Sequence, residues 1–318
     1  MTGGDLLLAA ALDAAVGDPR WLPHPVRGMG AVISWFDHRI RSLCRTDQAL
    51  RIAGVSLAIG LPAGIYAAAT FVIAQAASLS PVLGQAVEIG LAYTTLAGRD
   101  LFDHVQAVSR ELERGNLAGA REAVAMIVGR DSATLTESEI VRATVETIAE
   151  STSDGIVAPL VYLTLGGAPL ALAYKAINTL DSMVGHRDAR YEYFGWASAR
   201  LDDVMNWIPA RLTGSFIALA AGPATGQWHR VRDSWYILHR DGDKHSSPNS
   251  GRPEAAMAGA LGVQLGGRNY YDGVAQDRLT MGDGTTALTP DHISQASRIM
   301  VATCVLGFCF ALLSLWVS

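Results

Sequence analysis

Charge is what this sequence has least of. Asp, Glu, Lys and Arg supply 17% of its 318 residues, against roughly 25% in a soluble globular chain. Apolar residues supply 50%, so the first question is which runs are long enough to lie in lipid. Cysteine is nearly absent. Cys44, Cys304 and Cys309 stand apart, with no repeated CxxC and no close group of histidines, which argues against a disulfide scaffold and a zinc cluster. A basic excess is missing as well: 25 Lys and Arg against 30 Asp and Glu give a formal charge of −5. Nucleic-acid binding needs a basic stripe to neutralise phosphates, so that class is set aside. No alternating strand pattern persists, and no early positive charge suggests a secretory signal.

Three apolar runs read as strong membrane spans. Residues 52–79 contain no Asp, Glu, Lys or Arg, and a helix of about 28 residues at 1.5 Å each exceeds a bilayer core of roughly 30 Å. Ser80-Pro81 predicts a sharp turn into a second run, 82–98, interrupted only by Glu88. The third run, 299–317, follows Arg298 and carries Trp316 at its far end, as interfacial anchors do. Three weaker segments accompany them. Residues 5–17 include Asp13, and 207–222 carry Pro209 and Arg211 near their start. Residues 156–179 are apolar except for Lys175, but Gly166-Gly167 and Pro169 divide them, so a broken or re-entrant helical pair is as consistent as one straight span.

The intervening segments orient the chain. Arg20, Arg27, Arg39, Arg41, Arg45 and Arg51 precede the first span, and Arg99, Arg110, Arg114, Arg121, Arg130 and Arg142 fill the segment 99–155. Six more arginines and Lys244, from Arg230 to Arg278, precede the last span, while the turn at Pro81 has no basic residue. The positive-inside bias puts the long segments in the cytoplasm and the C-terminus outside. Arg187, Arg190 and Arg200 argue against an outside position for 181–206, so 156–179 and 207–222 are expected to return that segment to the inner face. Within 99–155 the periodicity predicts helices over 100–114 and 117–128, and Thr136-x-x-Glu139 is a capping box opening a helix to about Asp154. The expected fold is all-α: a polytopic helical membrane protein, one integral membrane domain over 1–318, with discontinuous or re-entrant helices and a cytoplasmic amphipathic insertion at 99–155. Its first partner would be the lipid bilayer.

Five polar regions stand out. Between Gly17 and Gly28, Pro19, Pro23 and Pro25 fix the chain around His24, because proline restricts itself and the residue before it. His24 could take a proton or hold a phosphate and Asp18 ligate magnesium, or both could serve a rigid connector. Glu146 and Glu150 fall four residues apart on one helix side, with Asp154 beyond; like charge there costs a few tenths of a kcal/mol unless a cation or arginine offsets it. A magnesium site and a solvated acidic face both fit. Lys175, Asn178 and Ser182 share a helical face within about 60°, flanked by Asp181, at a membrane boundary where polar groups are expensive unless paired, wet or used. Lys175 either snorkels or binds phosphate. Asp202 and Asn206 are an i,i+4 pair, Arg200 reaches Asp203 at i,i+3, and Arg211 follows. The acids suit Mg²⁺ or a helix N-terminus, and the arginines suit phosphate or carboxylate. Last come His245, Ser247, Asn249 and Glu254, then the glycines from Gly259 to Gly267, which either cradle an oxyanion or permit close helix packing. No Walker A sequence occurs, and Gly28-x-Gly30 lacks the third glycine of a dinucleotide fingerprint.

Several of these motifs, in this order, carry a resemblance. Gly17-Asp18-Pro19 with His24-Pro25-Val26, Asn178-Thr179-Leu180-Asp181-Ser182-Met183-Val184-Gly185, Ser198-Ala199-Arg200-Leu201-Asp202-Asp203-Val204 through Pro209-Ala210-Arg211, and His245-Ser246-Ser247-Pro248-Asn249 strongly resemble the adenosylcobinamide-phosphate synthase family of cobalamin biosynthesis. Val128-Gly129-Arg130-Asp131, Val145-Glu146-Thr147 and the Gly259–Gly267 stretch extend the resemblance over nearly the whole chain.

The resemblance implies an amide-forming ligase of the inner membrane. Its substrates would be cobyric acid and aminopropanol or aminopropanol phosphate, and a homo-oligomer or partners from the same pathway are compatible with it. Making an amide from a carboxylate requires activation, and ATP with Mg²⁺ would supply it through an acyl phosphate. On that expectation Asp181, Asp202 and Asp203, with Glu146 and Glu150, are metal-ligand candidates. Lys175, Arg200 and Arg211 would bind phosphates or the propionate, Asn178, Ser182, Ser247 and Asn249 would contact the nucleotide or substrate, and His24 or His245 would take a proton from the amine. All of this assumes that the five regions meet in one pocket at the inner face. A transporter, or a phosphotransferase sharing the magnesium and phosphate groups, is the alternative.

Overall fold

The computed structural model describes every residue except Arg20, Leu22, Arg45, Arg187, Ala189, Asp272, Thr285 and Ser318. Three of the orienting arginines, Arg20, Arg45 and Arg187, therefore lie outside the described residues. In chain order the helices are α1 (Gly3–Val16), α2 (Pro25–Leu43), α3 (Asp47–Leu79), α4 (Pro81–Tyr93), α5 (Gly98–Glu113), α6 (Leu117–Ala125) and α7 (Glu137–Thr152), then α8 (Ala158–Val184), α9 (Trp196–Met205), α10 (Trp207–Thr225), α11 (His229–Asp241), α12 (Gly251–Leu261) and α13 (Pro290–Val317). A single π turn, Ser153–Val157, joins α7 to α8.

The helical expectation holds with one correction. Strands β1 (Leu265–Tyr271) and β2 (Val274–Met281) form an antiparallel hairpin, so the fold is mostly helical rather than all-α. Almost all of β2 is exposed, and a strand with neither face buried shows no apolar alternation to read. Gly266 and Gly267, at φ 85° and 86°, sit where the register slips by a bulge, a conformation that glycine adopts without a Cβ penalty.

Among the described residues, three helical runs are long and apolar enough to cross a membrane: Asp47–Leu79, Glu137–Val184 and Pro290–Val317. Ile59, Phe71, Val305 and Leu313 on α3 and α13 are each more than half exposed, which places unpaired apolar surface where lipid would cover it. The 82–98 run is helical only through Tyr93. The division expected in 156–179 is present, with Gly166 and Gly167 both outside helical geometry and Gly167 at φ 67°. The Thr136–Glu139 capping box forms as predicted and opens α7.

The chain forms two compact units. The first comprises residues 1–97, 158–206 and 311–318. Its core packs α2, α3 and α8 through Ile33, Leu57, Leu180, Val184 and Phe194, with a second cluster of Met29, Ala69, Leu172 and Ala176. Gly54 allows the backbone at Phe194 to lie against α3, since a Cβ there would fall 1.9 Å from the Phe194 carbonyl oxygen. The second unit comprises 98–157 and 207–310. In it α12 is buried along almost its whole length, and Gly259 lets it meet α11, because a Cβ would fall 2.6 Å from the Ser234 Cα. That is the close-packing reading of this glycine.

Candidate functional site

In the first unit, the polar residues at the end of α8 and on α9 form a connected group. Asp202 is 9% exposed. Asn206, at the C-cap of α9, donates from Nδ2 to Asp202 Oδ1 at 2.9 Å, and the Tyr174 hydroxyl donates to Asn206 Oδ1 at 2.8 Å. Tyr162 stacks on Tyr174 with ring centroids 4.8 Å apart and donates to the Met205 carbonyl at 2.7 Å. The Asp202 carboxyl is pushed up to about 7, first by burial and next by the neighbouring charge of Asp181, while hydrogen bonds from Asn206 and Asn178 pull the other way. Burial disfavours a carboxylate, and a second carboxylate nearby adds to it. So the predicted Asp181, Asn178 and Asp202 do come together here. Asp203 pairs with Arg200 at 3.6 Å, with Arg200 largely exposed, a surface contact of small energy. Lys175 is half-buried and Ser182 exposed.

His24 is the N-cap residue of α2, immediately before Pro25. Its Nε2 lies 3.4 Å from Asp18 Oδ1 with the imidazole 9% exposed. Arg27 donates to the Pro19 carbonyl at 3.4 Å, closing the proline-rich turn on itself. The described residues of this turn thus place His24 beside Asp18.

In the second unit, α7, α12 and the hairpin surround a denser group. Glu146 is held at both oxygens: Oε2 pairs with Arg130, and Oε1 accepts the Gly266 amide at 2.8 Å. Arg130 also donates to Asn269 Oδ1 at 2.5 Å, and Arg142 donates to the same oxygen at 2.9 Å and to the Gly266 and Arg268 carbonyls. Glu150 Oε1 accepts from the Ser250 hydroxyl at 2.9 Å. His245 accepts the Ser247 amide on Nδ1 at 3.0 Å, while its Nε2 faces Arg278 at 3.1 Å and Glu254 at 4.0 Å. Burial, and then Arg278, hold the His245 imidazole below its ordinary value. Glu254 is driven well above the usual carboxylate range, first by complete burial and then by Glu146 and Glu150. Burial thus disfavours the charged form of both groups. Ser247 Oγ accepts the Asn249 and Ser250 amides at 3.2 and 3.3 Å, so it orders its own loop. The Arg211 guanidinium lies 4.0 Å from the Trp207 ring centroid and donates to the Trp207 carbonyl at 2.8 Å.

Glu146 and Glu150 thus lie in one unit and Asp181, Asp202 and Asp203 in the other. No group of three or more His, Cys, Asp or Glu side chains suited to a metal occurs among the described residues. Magnesium needs fewer, taking one or two carboxylates with water and substrate phosphates. The Asp181–Asp202 pair fits that requirement, since a cation would relieve the cost of two carboxylates side by side. Glu146 does not, both its oxygens being engaged.

Arg130, Arg142, Arg278, Asn269 and Tyr174 are the site residues that sequence spacing did not single out. Their partners are up to 139 residues away, and no local pattern marks such pairs. The resemblance alone contained Arg130.

The sequence profile of the family described as CobD/Cbib protein matches residues 6–300. The cobalamin biosynthesis protein CobD of Geobacter metallireducens is 48% identical over 305 residues, covering 96% of this chain and 94% of that protein. CbiB of Salmonella typhimurium is 45% identical over 294 residues, 92% and 91% of the two chains. CobD of Klebsiella pneumoniae is 46% identical over 297 residues with the same coverages, 92% and 91%. No solved structure matches this chain.

Proposed function

The chain belongs to the CobD/CbiB family of cobalamin biosynthesis enzymes, the adenosylcobinamide-phosphate synthases, and we propose that it joins the propionate carboxylate of (adenosyl)cobyric acid to aminopropanol or its phosphate as an amide. The reaction runs at the cytoplasmic face of the inner membrane with ATP. A carboxylate oxygen attacks the γ-phosphorus of ATP, ADP leaves, and the acyl phosphate is attacked by the amine. Inorganic phosphate departs, and a base takes the proton that the amine nitrogen loses.

The observation that carries this reading is the buried Asp202 beside Asp181, hydrogen-bonded by Asn206 and backed by Tyr174. A carboxylate pair so enclosed is costly unless something cationic balances it. Asp181 and Asp202 would hold Mg²⁺, with Asp203 at the rim. Bound there, the ion would neutralise charge on the transferring phosphoryl group. Lys175 and Arg200 bind phosphate or the propionate, with Asn178 and Ser182 as neutral hydrogen-bond partners. Arg211, over the Trp207 ring, would present its remaining N–H groups to an oxyanion. Either His24, beside Asp18, or His245 would take the proton that the amine loses. Glu146 serves to hold Arg130, and Glu150 to hold Ser250, so neither is assigned to the metal.

The test is direct. Purified full-length protein is supplied with cobyric acid, ATP, Mg²⁺ and aminopropanol phosphate, and the corrinoid product is followed by mass spectrometry. The amide-linked corrinoid is expected, with one ADP and one phosphate per amide. A folded sample that makes no amide overturns the reading.

A further inference from the structure

The second unit contains a cavity of about 440 Å³ lined by none of the residues assigned above to the reaction. It lies between the start of α11, the end of α12 and the segment after β2, with Arg230, Arg232, Tyr236, Gly259, Gly262 and Asp283 in its wall. That volume is in the range of small-molecule sites, roughly 300–1,000 Å³.

Two cations, Arg230 and Arg232, and two carboxylates, Asp233 and Asp283, line it. Asp233 pairs with Arg232 at 3.3 Å, and Asp283 pairs with Arg240 at 2.7 Å. Both lining carboxylates are thereby engaged, and no carboxylate pairs with Arg230 among the described residues. Arg230 is half-buried, and its position depends on Gly262. A Cβ on Gly262 would lie 2.1 Å from Arg230 Nη1, and the glycine sits at φ 69°, where other residues are strained. The chain thus leaves a guanidinium, cleared of side chains, at the edge of a cavity. Opposite in character, the Tyr236 ring is 59% exposed, and Ile237 and Ala258 add apolar wall.

A guanidinium with free donors beside an aromatic and apolar wall suits a molecule with an anionic end and an organic body. We propose that this cavity binds a phosphorylated small molecule, its phosphate on Arg230 and its organic part against Tyr236. The inference deepens the amide-ligase reading, which requires phosphorylated co-substrates, and two sources share the chemistry: a nucleoside triphosphate and a phosphorylated amino alcohol.

The experiment measures binding, not turnover. Full-length protein in nanodiscs is titrated calorimetrically with a non-hydrolysable ATP analogue, with aminopropanol phosphate and with adenosine, for wild type, Arg230→Gln and Gly262→Ala. Arg230→Gln should weaken one of the two phosphorylated probes by about tenfold or more, as expected for loss of a charge-assisted bond, and leave adenosine unchanged; the probe affected identifies the source. Gly262→Ala, which displaces the guanidinium, should weaken the same probe. Unchanged affinity for both phosphorylated probes in Arg230→Gln overturns the proposal, as does an equal loss for adenosine. Because the readout is affinity, Arg230-dependent binding without amide formation would defeat the reaction assignment alone, and amide formation without it would defeat the cavity alone.

Discussion

The Tyr174 hydroxyl donates to Asn206 Oδ1 at 2.8 Å, and both residues are buried. That bond ties the part of α8 beyond its glycine break to the end of α9, and Asn206 in turn orients Asp202. Replacing Tyr174 with Phe keeps the stacked ring on Tyr162 but leaves a buried amide oxygen without its donor. A loss of about 1–3 kcal/mol follows, visible as a lower unfolding midpoint, together with reduced amide formation. An unchanged midpoint would show that Asn206 finds another donor.

Asp202→Asn tests the charge rather than the packing. The substitution is nearly isosteric, and removing a buried carboxylate beside Asp181 relieves like-charge repulsion. The protein should therefore fold at least as well as the native chain while amide formation drops by roughly a hundredfold, a loss typical of disturbing a metal site. Raising Mg²⁺ should recover little of it. Turnover within twofold of native would exclude Asp202 from the metal.

Helix starts and breaks were legible because they are local. Thr136 and Glu139 cap a helix three residues apart, and Gly166-Gly167 interrupt one at adjacent positions. The Asp202–Asn206 pair was legible for the same reason, one helical turn apart. The hairpin was not, since β2 buries too little to leave a pattern, and the dipeptide Asp272-Gly273 is its one local turn signal. Nor was the pairing of His245 with Arg278, 33 residues on. Such contacts are decided by how helices pack, which a single sequence expresses only through small residues such as Gly54 and Gly259.

Arg130 and Glu146 form an ion pair with both side chains more than nine-tenths buried. Removing one partner of such a pair leaves an uncompensated charge and typically costs about 3–5 kcal/mol. Glu146→Ala should therefore lower stability by that order, and Arg130→Ala similarly. The double variant should lose less than the sum of the two, because neither charge is then stranded. Chemical denaturation of the three variants measures the coupling. Additive losses would mean that the pair contributes only through its separate contacts to Gly266 and Asn269.

Acid should unfold the second unit through Asp241. Its carboxylate is fully buried and meets Arg240 and Lys244, each at 2.7 Å, and the Gly282 amide at 2.8 Å. The Arg240 hydrogen bond, ahead of the opposing effect of burial, holds its ionisation well below the usual carboxylate range. Because the folded value is lower than the unfolded one of about 3.9, the folded state binds fewer protons in this window. Its stabilising effect is complete above about pH 5 and is lost as pH falls towards the folded value. Asp241→Asn should thus lower the unfolding midpoint at neutral pH, by an amount equivalent to about 1–3 kcal/mol. The gap between variant and native protein should narrow steadily from pH 5 to pH 2.5. A gap that stays constant over that range would show that Asp241 acts through shape alone.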